Sequence, residues 1–289
     1  MWGEARRIVP ILAGGGTRLP AHVGVLSALR DLEIGFDHLV GVSGGSIVAA
    51  LHAAGKTVDE MQNLFRDTDF RQFRGFNLYQ LLAHGGLTDG RRFEEWLDAQ
   101  LDGACFADLG FHLHVVATDV VGGEPVVFDR DTTPEMNVAE AVRASMGIPL
   151  LFAFRRWQDK VLVDGSILAE DVLRRDWTGD GTPSCCFRLR ASQLGVGRAM
   201  RAWFPLPDYL VMLVRAFMTT LSREYVAELY WNTTVVIDSG AVPPTEFALS
   251  PAQKDELYQR GYRTTHEFLP RKLGRATGRG DLLPDSLPA

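Results

Sequence analysis

The sequence predicts an α/β fold of three layers, α/β/α, with a central and mostly parallel sheet. Three observations carry that expectation. Short apolar runs alternate with stretches of helical spacing through the first half of the chain. The first two runs end directly in glycine-rich turns, as buried strands feeding helices do. With 289 residues and 46% hydrophobic content, there is enough apolar material for one large core.

The elements follow in order. Residues 7–13 form a short apolar run ending in glycines, expected as a buried strand. Residues 20–32 have helical spacing, and Pro20 suits a first helical turn. A second strand is expected over 38–42, followed by a helix of small residues over 44–54 that can lie close to a sheet. The region 58–101 reads as helices and loops. Strands are expected at 112–118, 125–128, 153–157, 160–163, 185–189 and 233–238, with helices at 137–145, 209–228 and 251–269. From Pro270 onward periodicity is lost, so 270–289 is expected as a flexible C-terminal tail behind a single domain, 1–269.

Composition removes several function classes. The formal net charge of −6 gives no global attraction to nucleic acid. The 3 cysteines include an adjacent pair, Cys185-Cys186, which is not a disulfide framework. No Cys/His cluster has zinc spacing, so neither a metal nor another cofactor is expected. The N-terminus lacks the apolar core of a secretory signal. No uncharged apolar stretch approaches the ~20 residues that span a bilayer. These features make a cytoplasmic protein the expectation, with export by a signal-less route left open. Oligomeric state leaves no mark.

The chemistry concentrates in three places. Gly41-Val42-Ser43-Gly44-Gly45 matches G-x-S-x-G between an expected strand and an expected helix. Glycine flanks relieve the crowding of a sharp turn, and the amide of Gly44 opens the helix where negative charge is favoured. Ser43 reads either as an exposed nucleophile or as a helix cap. Gly14-Gly15-Gly16-Thr17-Arg18 follows the first strand, and bare backbone amides can cradle an anion. It lacks the phosphate-loop and dinucleotide patterns, which leaves a developing oxyanion or a plain turn.

A serine nucleophile needs a proton acceptor. His266 is the only histidine beyond residue 114, in a polar helical stretch where a surface role is the better reading. His22 falls within the first helix and reads as structural. Asp164-Gly165 follows the strand at 160–163, so its carboxylate emerges at a strand end. It serves equally as a base or as an ordinary Asp-Gly turn.

Taken together, these segments resemble the patatin-like phospholipases. Gly14 to Arg18 is similar to that family's glycine-rich oxyanion loop, and Gly41 to Gly45 to its nucleophile elbow. Ala144-Ser145-Met146-Gly147-Ile148-Pro149 is similar to its A-S-x-x-x-P stretch, and Asp164-Gly165 to its D-G motif. Leu19 stands where the family usually has glycine. The resemblance implies a lipid acyl hydrolase with a catalytic Ser43–Asp164 dyad and neither histidine nor metal in the chemistry. Amides among Gly14, Gly15, Gly16 and Gly44 would hold the oxyanion, with Arg18 supporting the loop and Asp119 in a structural role. The substrate would be a lipid or other acyl ester. Two segments are candidates for peripheral membrane contact: the aromatic and basic stretch 65–82, with Phe65, Phe70, Phe73 and Phe76, and the stretch Trp203–Phe217. Alternatives on the same scaffold are an acyltransferase and a degenerate module that only binds an anion.

Overall fold

The computed structural model describes residues 7–73, 75, 85–168, 172, 175–191, 209 and 233–276. Its spine is a sheet in which β10 (Thr234–Asp238), β9 (Ser184–Arg190), β1 (Val9–Ala13), β2 (His38–Val42) and β4 (His112–Asp119) lie side by side, all parallel. Every residue of β1 is buried. Its alternate side chains enter two cores: Leu12 packs on one face of the sheet and Val9, Ile11 and Ala13 on the other. Burial on both faces is why these strands read as continuous apolar runs rather than alternating ones.

Helices cover the larger core. α1 (Leu19–Asp31) begins with Pro20 in its first turn, as expected, and buries all but its last residues. α2 (Gly44–Ala53) is apolar around almost its whole circumference and is correspondingly buried. α3 (Val58–Asp67) starts on a capping box in which Thr57 and Glu60 satisfy each other's amides. α4 (Arg91–Gln100) and α5 (Val138–Ser145) complete this side, with the long α6 (Pro251–Ala276) packed against α1.

The contact between α1 and α6 is made through backbone. A Cβ on Gly24 would lie 2.1 Å from the Tyr258 carbonyl oxygen, and one on Gly261 would lie 1.9 Å from that of Ala21. Two glycines therefore allow these helices to touch main chain to main chain.

The geometry that matters most lies along β4. On one edge, β5 (Glu124–Phe128) pairs antiparallel with Val115 to Asp119. On the other edge, β2 runs parallel and stops with Val42 opposite Val116. β8 (Lys160–Asp164) enters the same lane antiparallel and stops with Asp164 opposite Ala117. The carboxyl ends of β2 and β8 thus abut at one point beside β4. β7 (Arg155–Trp157) closes that edge.

Several details depart from the sequence reading. A separate parallel pair, β3 (Gly86–Thr88) with β6 (Leu150–Phe152), was not foreseen. Three-residue strands carry too little periodicity to read. The expected tail from Pro270 begins later, because α6 continues through Pro270 to Ala276. Leu269 is fully buried and Leu273 packs on the core, and that burial holds the turn that Pro270 weakens. The expected helix over 209–228, apart from Tyr209, and everything after 276 fall outside the described residues.

Alanine is the better helix former by about 1 kcal/mol. At Gly24 the clash with a carbonyl outweighs that preference, so Gly24→Ala is expected to destabilise the fold by roughly 2 kcal/mol in denaturant unfolding. A neutral or stabilising result would mean that α1 and α6 do not touch at this point.

Candidate active site

Ser43 sits between β2 and α2 with φ 53° and ψ −132°, a region L-residues rarely occupy. Such backbone is worth about 1–3 kcal/mol of strain and persists only where the surroundings impose it. They do so here. A Cβ on Gly41 would fall 2.4 Å from Ser46 Cα, and one on Gly45 would fall 2.0 Å from the Leu12 carbonyl oxygen. The glycines of G-x-S-x-G are therefore a packing requirement of the turn.

Two hydroxyls lock the turn from behind. Ser46 Oγ donates to the Ser43 carbonyl at 2.5 Å. Ser145 Oγ accepts the Ser43 amide at 2.9 Å and donates to the Val116 carbonyl at 2.5 Å. Ser145 thus ties the elbow to β4 at the residue where β2 ends. Its position was legible in the A-S-x-x-x-P stretch, but its role was not, since it acts on backbone atoms.

The two strand ends bring Ser43 and Asp164 together across 121 positions of sequence. Ser43 Oγ donates to Asp164 Oδ2 at 2.7 Å, and the Ser166 amide donates to Oδ1 at 2.8 Å. Ser43 is 1% exposed and Asp164 0%, so the pair is buried. Burial raises the Asp164 carboxyl above its ordinary value of 3.8, and the hydrogen bonds from Ser43 and Ser166 oppose that rise. His266, the other base considered, is exposed on α6 and stacks on Tyr262.

The glycine loop lies beside this pair. Gly14, Gly15 and Gly16 all have positive φ, at 68°, 115° and 55°. Among the described residues, the amides of Gly15, Gly16 and Gly44 donate to no protein acceptor. A Cβ on Gly44 would lie 2.7 Å from the Gly16 nitrogen, which places the loop directly against the elbow. Gly14 is a correction to the sequence reading. Its amide donates to the Val42 carbonyl at 3.0 Å and so is not free to hold an oxyanion.

Arg18 is buried and holds the loop. Its Nε donates to the Gly15 carbonyl at 2.9 Å, and one terminal nitrogen donates to Ser239 Oγ at 2.7 Å. Desolvation lowers its pKa to about 10, so it stays cationic at neutral pH. His22 Nε2 lies 3.1 Å from the Gly14 carbonyl. Asp119 accepts the amides of Val121, Gly122 and Val161 and braces the turn after β4, a structural position as the sequence suggested.

Ser43 opens onto an apolar pocket. Gly16, Ile47, Phe70, Phe73, Phe93 and Trp96 line one part of it, and Met146, Ile148, Phe152 and Phe247 line another. Leu19 also lines this pocket from the first turn of α1.

Three aromatic residues of the stretch proposed for membrane contact do not face solvent. Phe65, Phe70 and Phe73 are 0%, 3% and 8% exposed, because Phe65 enters the core while Phe70 and Phe73 wall the pocket. Phe76 and, apart from Tyr209, the stretch Trp203–Phe217 lie outside the described residues. Among the described residues, no helix is long and apolar enough to cross a membrane.

Comparison with known proteins gives concordant results. The family described as patatin-like phospholipase matches residues 11–173. An uncharacterized NTE family protein of Mycobacterium tuberculosis is 34% identical over 168 residues, covering 56% of this chain and 43% of the relative. This chain therefore matches less than half the length of that relative. Among solved structures, VipD from Legionella pneumophila superposes with a TM-score of 0.65 at 17% identity, over 92% of this chain and 67% of that one. ExoU, in its complex with SpcU from the type III secretion system of Pseudomonas aeruginosa, gives 0.56 at 17% identity, over 93% and 53%. At such identities the likeness is one of fold.

Because the folded chain binds a proton on Asp164 more tightly than the unfolded chain does, this group favours folding less as pH rises through its raised pKa. Removing the charge should relieve that burden. Asp164→Asn is expected to be more stable than wild type at pH 7, and less so at pH 4. Thermal unfolding at both pH values checks this, and a variant less stable than wild type at pH 7 would contradict it.

Proposed function

This chain belongs to the patatin-like phospholipase family, and from that premise we propose that it is a lipid acyl hydrolase working through Ser43 and Asp164. The observation that carries the reading is the 2.7 Å hydrogen bond from Ser43 Oγ to a fully buried carboxylate. Burial raises the basicity of that carboxylate, and the hydrogen bond points it at the hydroxyl proton it is to accept.

In the proposed reaction, Ser43 Oγ attacks the ester carbonyl carbon as its proton passes to Asp164. The amides of Gly15, Gly16 and Gly44 stabilise the tetrahedral oxyanion, each lost donor being worth about 3–4 kcal/mol. Asp164 returns the proton to the departing alcohol, leaving an acyl-enzyme. Water then attacks, gives its proton to Asp164, and Ser43 is released as it takes that proton back. One carboxylate serves as base and acid in turn, because its raised pKa lets it both accept and release a proton.

The apolar walls support an acyl chain as the bound part of the substrate. The polar head of the lipid stays outside, toward solvent.

Two outcomes are expected with a medium-chain acyl ester. Ser43→Ala abolishes hydrolysis while the protein stays folded, losing about 1–3 kcal/mol with the hydrogen bond to the buried carboxylate. The acid limb of wild-type kcat/KM against pH falls above the ordinary carboxylate value of 3.8, since Asp164 must be ionised to act and burial has raised it. Hydrolysis that survives in purified Ser43→Ala would refute the assignment.

A further inference from the structure

We propose that His22 is a positioning residue for the reaction: by donating from Nε2 to the Gly14 carbonyl at 3.1 Å, it aims the Gly15 amide at the oxyanion. The inference rests on the function proposed above and names a residue to which that reading assigns no role.

The argument is one of peptide geometry. A trans peptide is planar, and its C=O and N–H point in opposite directions. The Gly14 carbonyl and the Gly15 amide belong to the same peptide plane. Whatever fixes the direction of that carbonyl fixes the direction of that amide. The carbonyl can only accept, so Nε2 must carry the ring proton and donate it.

The neighbouring plane is fixed in the same way. Arg18 Nε donates to the Gly15 carbonyl at 2.9 Å, which sets the direction of the Gly16 amide. Two buried side chains four positions apart, Arg18 at the start of α1 and His22 in its first turn, thus hold two successive peptides by their carbonyls. Such support is needed because three consecutive glycines have little intrinsic preference to hold either plane.

A packing role alone does not account for His22. It is fully buried, and one turn away along the chain stand Leu19, Val25 and Leu26, all buried and apolar, with the buried Arg18 at the helix start. Its Nδ1 has no hydrogen-bond partner among the described residues. A hydrocarbon side chain would fill the volume and remove the unpartnered Nδ1, but it would take away the donor to the Gly14 carbonyl, so the contact and not the volume is what a histidine supplies here. Nor is His22 placed as the base, since Ser43 Oγ donates to Asp164. Desolvation lowers its pKa to about 4, so the ring stays neutral across the working pH range.

The test is steady-state hydrolysis of a soluble acyl ester by wild type, Ser43→Ala, and His22→Phe, His22→Asn and His22→Gln. The glutamine amide nitrogen reaches the place of Nε2, whereas asparagine is too short and phenylalanine cannot donate. Expected are a roughly 100-fold fall in kcat for Phe and Asn, with KM within about twofold. The glutamine variant should recover most of the lost kcat and keep the wild-type pH profile. Should the Phe variant fail to fold, the contrast between Asn and Gln carries the test at matched polarity.

Wild-type kcat in both Phe and Asn would overturn the inference, as would an effect on KM alone. A pH limb shifted in the Gln variant would make His22 a proton carrier and overturn it as well. Active wild type with inactive Ser43→Ala and unaffected His22 variants would sink this inference and leave the proposed function standing. Inactive wild type would sink both.

Discussion

A carboxylate shut away from water, one hydrogen bond from a hydroxyl on a strained turn, is the constraint on which the rest of the site depends. Neither group holds that arrangement by itself. Ser43 needs backbone close on every side to keep its φ of 53°, and Asp164 needs donors to replace lost hydration. The sheet supplies both. β2 and β8 approach from opposite directions along a single edge of β4, and the meeting point of their ends is set by ladder registers rather than by loops. A shift of either strand by one residue would turn the side chain to the other face of the sheet and separate the pair.

Around that junction several buried polar side chains are bonded to main chain. Ser145 joins the elbow to β4, Ser46 closes the first turn of α2, and Arg18 and His22 hold the glycine loop. Arg143, fully buried on α5, donates to the Asp89 and Ala153 carbonyls and lies over the Phe152 ring, which steadies the pocket wall where β3 meets β6. Rigid positioning of donors before the reaction is what makes such a site effective, since no reorganisation is then needed as charge develops. The stability given up through strain and desolvation is the usual counterpart of that preparation.

What the sequence made legible follows from the range of the forces involved. The elbow could be read because its crowding is local: Gly41 and Gly45 stand within two residues of Ser43 and are required by atoms of the same strand and helix, and of β1. The strands of the first half could be read because buried parallel strands are apolar throughout. Asp164 could be seen only as a carboxylate at a strand end, because what distinguishes it from any Asp-Gly turn is a partner 121 residues away. His22 looked structural and Gly14 looked like its neighbours, since their roles are defined by backbone atoms that have no letter in the sequence. Phe70 and Phe73 were misplaced because aromatic residues among arginines look alike whether they face a lipid surface or an internal pocket.

The central claim is that Ser43 is a nucleophile made reactive by Asp164, and labelling with an alkyl fluorophosphonate followed by peptide mass spectrometry tests it most directly. The account expects a single adduct on Ser43 in the wild type, forming at least 100-fold more slowly in Asp164→Asn. An adduct on another residue, no adduct at all, or an unchanged rate in the asparagine variant would contradict it.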